Sequence, residues 1–221
     1  MPIPFLASDD ETTPFPPPDQ ALAEPNGLLM AGGALSPARL MLAYRNAVFP
    51  WFEEGDPVLW WSPDPRCILW PGELKVRRSL AKTLRKGHLR VTTDQCFTEV
   101  MRQCAAPRRD SNGTWITDSM ICAYSALADA GLARSVEVWA DDQLVGGLYG
   151  VVVGRVFVGE SMFSRVSDAS KVALVYLARE MGYALIDCQL STPHLESMGA
   201  TTVARAQYLK LLRRYGADTA D

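Results

Sequence analysis

In this 221-residue chain, Asp187, Gln189 and Glu160 are polar side chains set in apolar strand-like runs. Period two sorts Ala184-Leu185-Ile186-Asp187-Cys188-Gln189 into two faces, with Leu185, Asp187 and Gln189 on one and Ala184, Ile186 and Cys188 on the other. An acid and an amide together at a strand's C-terminal end are either a structural hydrogen-bond pair or the centre of an active site. Glu160, in Gly159-Glu160-Ser161-Met162-Phe163-Ser164, sits where an unpaired charge is costly. It is either a salt-bridged glutamate, with Lys171 as the candidate partner, or a carboxylate that orients an amine. A competing arrangement makes Cys188 a nucleophile, His194 its base and Asp187 the orienter. Alternation turns Cys188 away from Asp187, which counts against that triad.

A second constellation could hold a nucleic acid. Four of the six tryptophans, Trp51, Trp60, Trp61 and Trp70, fall within twenty residues, interrupted by Pro50, Pro57, Pro63 and Pro65. The spacing fits neither helix nor strand, so the expectation is a stiff, turn-rich aromatic loop. Such rings either seal a small core or offer faces on which a base stacks. Lys75, Arg77, Arg78, Lys82, Arg85, Lys86 and Arg90 follow, with no acid between Glu73 and Asp94 in a chain of formal charge -3. On a helix Ser79-Lys86 capped by Gly87, Lys82, Arg85 and Lys86 share the wet face. That face is either merely solvated or a seat for phosphates.

These groups must be positioned by a soluble globular protein of one or two domains. No run of eighteen apolar residues would span a membrane, and no signal peptide opens the chain. Five cysteines without a CxxC pair read as free thiols of a reducing compartment, so a cytoplasmic location is expected. His88 and His194 alone make a zinc site improbable.

Residues 1–25, with seven of the fifteen prolines, read as a strap. Residues 26–92 are expected to form an N-terminal domain and 93–221 the larger one. Ser36-Pro37 opens a helix 37–47, and Asp94 is expected to cap a helix presenting Phe97, Val100, Met101 and Cys104. Residues 107–113 form a polar loop before a helix 118–130. Strands 135–139, 144–153 and 156–162 follow, then a helix from Ser167-Asp168 to Met181, strand 184–189 and a helix 204–214. Antiparallel strands, a helix and a further strand predict an α+β fold with helices on a mixed sheet.

The ordered set Glu24-Pro25-Asn26-Gly27-Leu28-Leu29, Leu35-Ser36-Pro37-Ala38-Arg39-Leu40, Phe49-Pro50-Trp51-Phe52, Trp60-Trp61-Ser62-Pro63-Asp64-Pro65-Arg66, Gly113-Thr114-Trp115-Ile116-Thr117, Gly159-Glu160-Ser161-Met162-Phe163-Ser164 and Ile186-Asp187-Cys188-Gln189 resembles the leucyl/phenylalanyl-tRNA–protein transferases. The resemblance runs from about residue 20 to 212. It implies a small N-terminal domain followed by a GNAT-like acyltransferase domain. The implied activity moves leucine or phenylalanine, sometimes methionine, from aminoacyl-tRNA to proteins with N-terminal arginine or lysine, which marks them for degradation. By the same resemblance Trp51 and Trp115 flank the terminal adenosine, and Leu148, Phe157, Met162, Leu174 and Ile186 line the aminoacyl side-chain pocket. Glu160 orients the reacting groups, and Asp187 and Gln189 are the catalytic pair. Arg77, Arg78, Lys82, Arg85 and Lys86 are expected to meet tRNA phosphates, and a monomer is expected.

Acetyl-CoA enzymes of that fold place a glycine-rich pyrophosphate loop before the helix. Phe163-Ser164-Arg165-Val166-Ser167-Asp168 has no glycine, so acetyl-CoA is not the expected donor. Aminolysis of an activated ester needs no cofactor or metal. An α-amino group of pKa near ~8 is partly neutral at pH 7, leaving the protein to align amine and ester and help remove one proton. An amide is a very poor base, so the expectation is that Asp187 polarises Gln189 and supplies the basicity. A binding module without catalysis would not need that pair, and a thiol enzyme would need Cys188.

Overall fold

A computed structural model describes residues 3–106 and 114–217. The polar loop expected at 107–113 lies outside them. The described chain runs β1 (Phe5–Leu6), β2 (Leu28–Gly32), α1 (Pro37–Arg45), β3 (Phe49–Pro50), β4 (Leu59–Trp61), β5 (Arg66–Leu69), α2 (Arg78–Lys86), β6 (Arg90–Thr93), α3 (Phe97–Ala105) and α4 (Asp118–Asp129). It continues through β7 (Ala133–Ala140), β8 (Gln143–Val153), β9 (Val156–Ser164), α5 (Ala169–Glu180), β10 (Leu185–Gln189), α6 (Pro193–Ser197), β11 (Thr201–Val203) and α7 (Arg205–Tyr215). No described helix is long and apolar enough to cross a membrane.

Two sheets form. A small N-terminal sheet has the order β1-β2-β4-β3, and a larger mixed sheet the order β11-β5-β10-β9-β8-β7-β6. Among the described strands of the larger sheet, β9 and β10 are parallel, and α5 makes the crossover between them. The fold is thus α+β. One face of the larger sheet packs on α1, α3, α4 and α7 through Tyr44, Val100, Tyr124 and Tyr208. The other packs on α5 and α2 through Leu174, Leu177 and Leu80. β5, within residues 26–92, and β6, which spans residue 92, are both strands of the larger sheet, so that sheet crosses the boundary expected there.

The aromatic segment contains strand after all. β3, β4 and β5 are short because prolines interrupt them, and the tryptophans divide between core and surface. Trp60 is fully buried, donating from Nε1 to the Gly32 carbonyl at 2.7 Å and meeting Phe15 edge-on at 5.0 Å. Asp94 does not cap α3. It takes a φ of 56°, accepts from the Ser135 N–H at 2.9 Å and pairs with Arg134. Ser36 does cap α1, accepting from the Arg39 N–H at 3.2 Å. Through residues 3–25 the strap lies against the small sheet. Arg39, buried, donates to the Thr13 carbonyl and stacks on Phe15 at 4.1 Å.

Candidate active site

The site exists because two strands part. β10 pairs with β9 only at Leu185, Ile186 and Asp187, opposite Val156, Phe157 and Val158, although β9 continues to Ser164. Between the diverging ends opens a cavity of about 580 Å³. A bulge on β9 supplies its polar wall. Tyr149 pairs with Ser161 and Gly150 with Gly159, leaving Glu160 as the extra residue. Gly150 permits this closeness, since a Cβ there would stand 2.2 Å from the Val158 carbonyl.

Leu148, Phe157, Met162, Leu174 and Ile186 all line this cavity, as do Glu160, Asp187 and Gln189. Trp51 and Trp115 line it too. Trp51 is 47% exposed, and its carbonyl accepts from Trp61 Nε1 at 2.7 Å. The two rings meet edge-on at 5.5 Å, so Trp61 braces Trp51 from the side. An aromatic ring held by its neighbour yet left half open to solvent can stack on a planar ligand. Arg77, Arg78, Lys82, Arg85 and Lys86 lie apart from the cavity, on and beside α2, all exposed. Gly87 ends that helix at a φ of 64°, and Leu80 faces the core, as the spacing requires. Thr83 ties α2 to the start of α5, donating to Asp168 at 3.1 Å.

The carboxylates are arranged differently from the expectation. Asp187 is fully buried, and four donors occupy its two oxygens. Oδ1 accepts from Arg66 Nε and from the Gln189 backbone N–H, each at 2.9 Å. Oδ2 accepts from Arg66 NH2 and from the Tyr208 hydroxyl, each at 2.6 Å. With its acceptor sites filled, Asp187 has none left for the Gln189 side chain, which it therefore does not polarise. Burial opposes the charge on Arg66, but the Asp187 carboxylate more than compensates and keeps the guanidinium protonated. That guanidinium lies over the Phe49 ring at 4.9 Å and over the Tyr208 ring at 4.7 Å.

It is Glu160 that engages the Gln189 side chain. Gln189 Nε2 donates to Glu160 Oε1 at 2.7 Å, and the Tyr124 hydroxyl donates to Oε2 at 3.3 Å. Tyr44 bonds Tyr124 behind it. Gln189 reaches this position at a φ of 61°, where the N–H bond to Asp187 holds its backbone. Burial pushes the Glu160 carboxyl up to about 7, against the lowering effect of hydrogen bonds from Tyr44, Gln189 and Tyr124. A carboxylate that titrates near neutrality beside a cavity suits proton transfer. Lys171, the candidate partner had Glu160 been a salt-bridged glutamate, pairs with Asp168 at 2.9 Å instead.

The thiol triad is not built. Leu185 packs in the core on one face of the sheet and Cys188 against that on the other, as alternation requires. A hydrogen bond with Cys67 and burial together hold the Cys188 thiol well above its ordinary value, and burial holds His194 below its own. The sequence reading missed Arg66, Tyr44, Tyr124 and Tyr208. A usable signal for Arg66 was there: an arginine before the apolar run Cys67-Ile68-Leu69 needs a buried acid, and Asp187 lies in another such run.

The parted strands of this α+β protein enclose an apolar lining, two tryptophans and an amide–carboxylate pair, and the family models match the chain to a class of transferases. Residues 68–213 match the family model described as leucyl/phenylalanyl-tRNA protein transferase, and residues 33–64 match the model of that family's N-terminal domain. The chain belongs to the leucyl/phenylalanyl-tRNA protein transferase family. A relative bearing that family name from Nitrosomonas eutropha is 61% identical over 203 residues, spanning 90% of this chain and 87% of its own. One from Nitrosospira multiformis is 59% identical over 214 residues, spanning 96% and 91%. A third, from Pseudomonas aeruginosa, is 55% identical over 204 residues, spanning 91% and 90%. Among solved structures, a GCN5-related N-acetyltransferase from Kribbella flavida overlays at a TM-score of 0.36 and 10% identity, covering 74% of this chain and 60% of that one. A likeness at that level adds nothing to the layers already described.

Proposed function

We propose that this protein transfers leucine or phenylalanine from aminoacyl-tRNA to the N-terminal arginine or lysine of acceptor proteins, acting as a cytoplasmic monomer. The observation that carries the reading is one cavity joining the apolar residues, two tryptophans and the Gln189–Glu160 pair. The leucyl or phenylalanyl side chain occupies the floor formed by Leu148, Phe157, Met162, Leu174 and Ile186. The terminal adenosine rests against Trp51 and Trp115, and the exposed cations of α2 meet phosphates of the acceptor stem.

The acceptor's neutral amine attacks the ester carbonyl. The new C–N bond forms, the ester C–O bond breaks and the ribose hydroxyl of the tRNA leaves. Because Gln189 Nε2 is committed to Glu160, its Oε1 is the atom that aligns the attacking N–H. Glu160 takes the proton that the amine loses and returns it to the departing ribose oxygen. Asp187 is a positioning residue, fixing the Gln189 backbone while Arg66 and Tyr208 fix Asp187. Much of the rate comes from holding amine and ester together. The test is incubation of purified protein with leucyl-tRNA and peptides beginning with arginine or with aspartate. Mass spectrometry should find one leucine added to the N-terminus of the first and none on the second. Failure to modify the arginine peptide refutes the assignment.

A further inference from the structure

The proposed chemistry uses neither Cys67 nor Cys188, yet the sheet brings them together at the cavity. β5 and β10 run antiparallel, with Ile68 opposite Asp187 and Cys67 opposite Gln189. Cys188 is the extra residue between those two pairs, and such a bulge re-aims a side chain. The register sets the two thiols side by side, and each shifts the other's titration, Cys67 downward and Cys188 upward. Cys67 has no exposed surface, whereas Cys188 is partly exposed and lines the cavity. A small solute that enters the cavity therefore meets Cys188, with Cys67 directly behind it.

We propose that Cys67 and Cys188 form a disulfide when the protein meets a small hydroperoxide, and that this bond shuts the transfer site. The shutting rests on the role proposed for Gln189; the bond itself does not. Cys188 is the thiol on the cavity side, so it meets the peroxide first, and its proton passes to the departing alkoxide oxygen. The Cys188 sulfur attacks the terminal peroxide oxygen. The O–O bond breaks, leaving Cys188 as a sulfenic acid and releasing an alcohol, or water from hydrogen peroxide. The Cys67 sulfur attacks the Cys188 sulfur, the S–S bond forms, and the S–O bond breaks to release water. In sum two thiols give up two electrons and two protons to one peroxide.

The bond changes geometry next to the site. A disulfide needs an S–S distance of about 2.05 Å, far closer than two thiols in van der Waals contact. Cys188 must move toward β5, and Gln189 is the next residue, at an unusual φ of 61° with its N–H on Asp187. A displacement of about 1 Å at a reacting group can cost roughly 10²-fold in turnover.

The test treats purified full-length protein with hydrogen peroxide, blocks free thiols, digests without reductant and maps cross-linked peptides by mass spectrometry. Leucine transfer is assayed on the same samples before and after dithiothreitol. The expected result is a Cys67–Cys188 peptide whose yield tracks loss of activity, with both reversed by reductant. Cys67→Ser, or Cys67→Ala should the serine variant fold poorly, should keep its activity at the same peroxide dose. A peptide map without the Cys67–Cys188 product overturns the bond. Full activity in cross-linked protein, or equal inactivation of the Cys67 variant, overturns its effect on the site. A chain that never transfers leucine refutes the function proposed above, while the peptide map still decides whether the bond forms.

Discussion

Replacing Glu160 by glutamine should separate catalysis from stability in opposite directions. Glu160 ordinarily titrates at 4.5 and here titrates at about 7, so the folded state binds its proton more tightly than the unfolded state does. Below pH 4.5 both states are protonated and folding carries no penalty from this group. As pH rises through 7 that favourable position is lost, and the charged carboxylate destabilises the fold by roughly 3 kcal/mol. Glutamine keeps the shape and cannot ionise. Its oxygen can still accept from Gln189, and its nitrogen can donate to Tyr124, a hydroxyl that also accepts. At pH 8 Glu160→Gln should therefore unfold at higher denaturant than the parent by up to roughly 3 kcal/mol, with the gap closing toward pH 5.

Turnover should move the other way, falling by about 10²–10⁴-fold if Glu160 takes the proton. The shape of the pH profile is the sharper assay. At saturating donor, log kcat/KM for the acceptor peptide depends on two deprotonations, Glu160 near 7 and the peptide amine near ~8. The parent should climb with a slope of about two below pH 7 and about one from there to about pH 8, then level off, whereas the variant should keep only the amine limb. Persistence of the steep limb in Glu160→Gln, with turnover near the parent's, would refute the assignment of the base.

Removing Arg66 with Arg66→Met leaves Asp187 buried without its ion pair, and should cost roughly 3–5 kcal/mol in urea denaturation. Asp187→Asn should lower kcat while leaving donor affinity nearly intact, since Asp187 holds Gln189 and not the adenosine. Trp51→Ala and Trp115→Ala should each weaken aminoacyl-adenosine binding by roughly 1–3 kcal/mol in calorimetry, with phenylalanine restoring part. Trp51→Ala should barely change the melting temperature, because the ring is 47% exposed. Joint replacement of Lys82, Arg85 and Lys86 by alanine should weaken all aminoacyl-tRNAs alike and flatten the dependence of Kd on salt. Unchanged binding across a salt titration would return α2 to the status of a solvated face.

The long elements were legible because their periodicity is undisturbed. β8, β9, α5 and α7 appear within a few residues of where alternation or helical spacing puts them. The short strands β2, β4 and β5 were not, since three to five residues carry too little pattern and the prolines between them read as loop. Asp187 and Gln189 were correctly sorted from Cys188, which a two-residue period suffices to do. The division of labour between the carboxylates was hidden. It depends on Arg66, 121 residues from Asp187 in the chain, and on a bulge that turns Glu160 toward Gln189. Neither follows from local spacing.

The place of β5 in the larger sheet has a consequence for how the protein is made. β5 leaves the ribosome early, yet its neighbours β10 and β11 come from the last third of the chain. A growing chain can complete the small sheet and α1 while Arg66 still waits for Asp187 and Tyr208. The buried Arg66–Asp187–Tyr208 cluster beside the cavity therefore assembles only when synthesis is nearly finished, at the entropic cost of closing a long loop. The cavity, walled by β9 and β10, is thus one of the last features a nascent chain can complete.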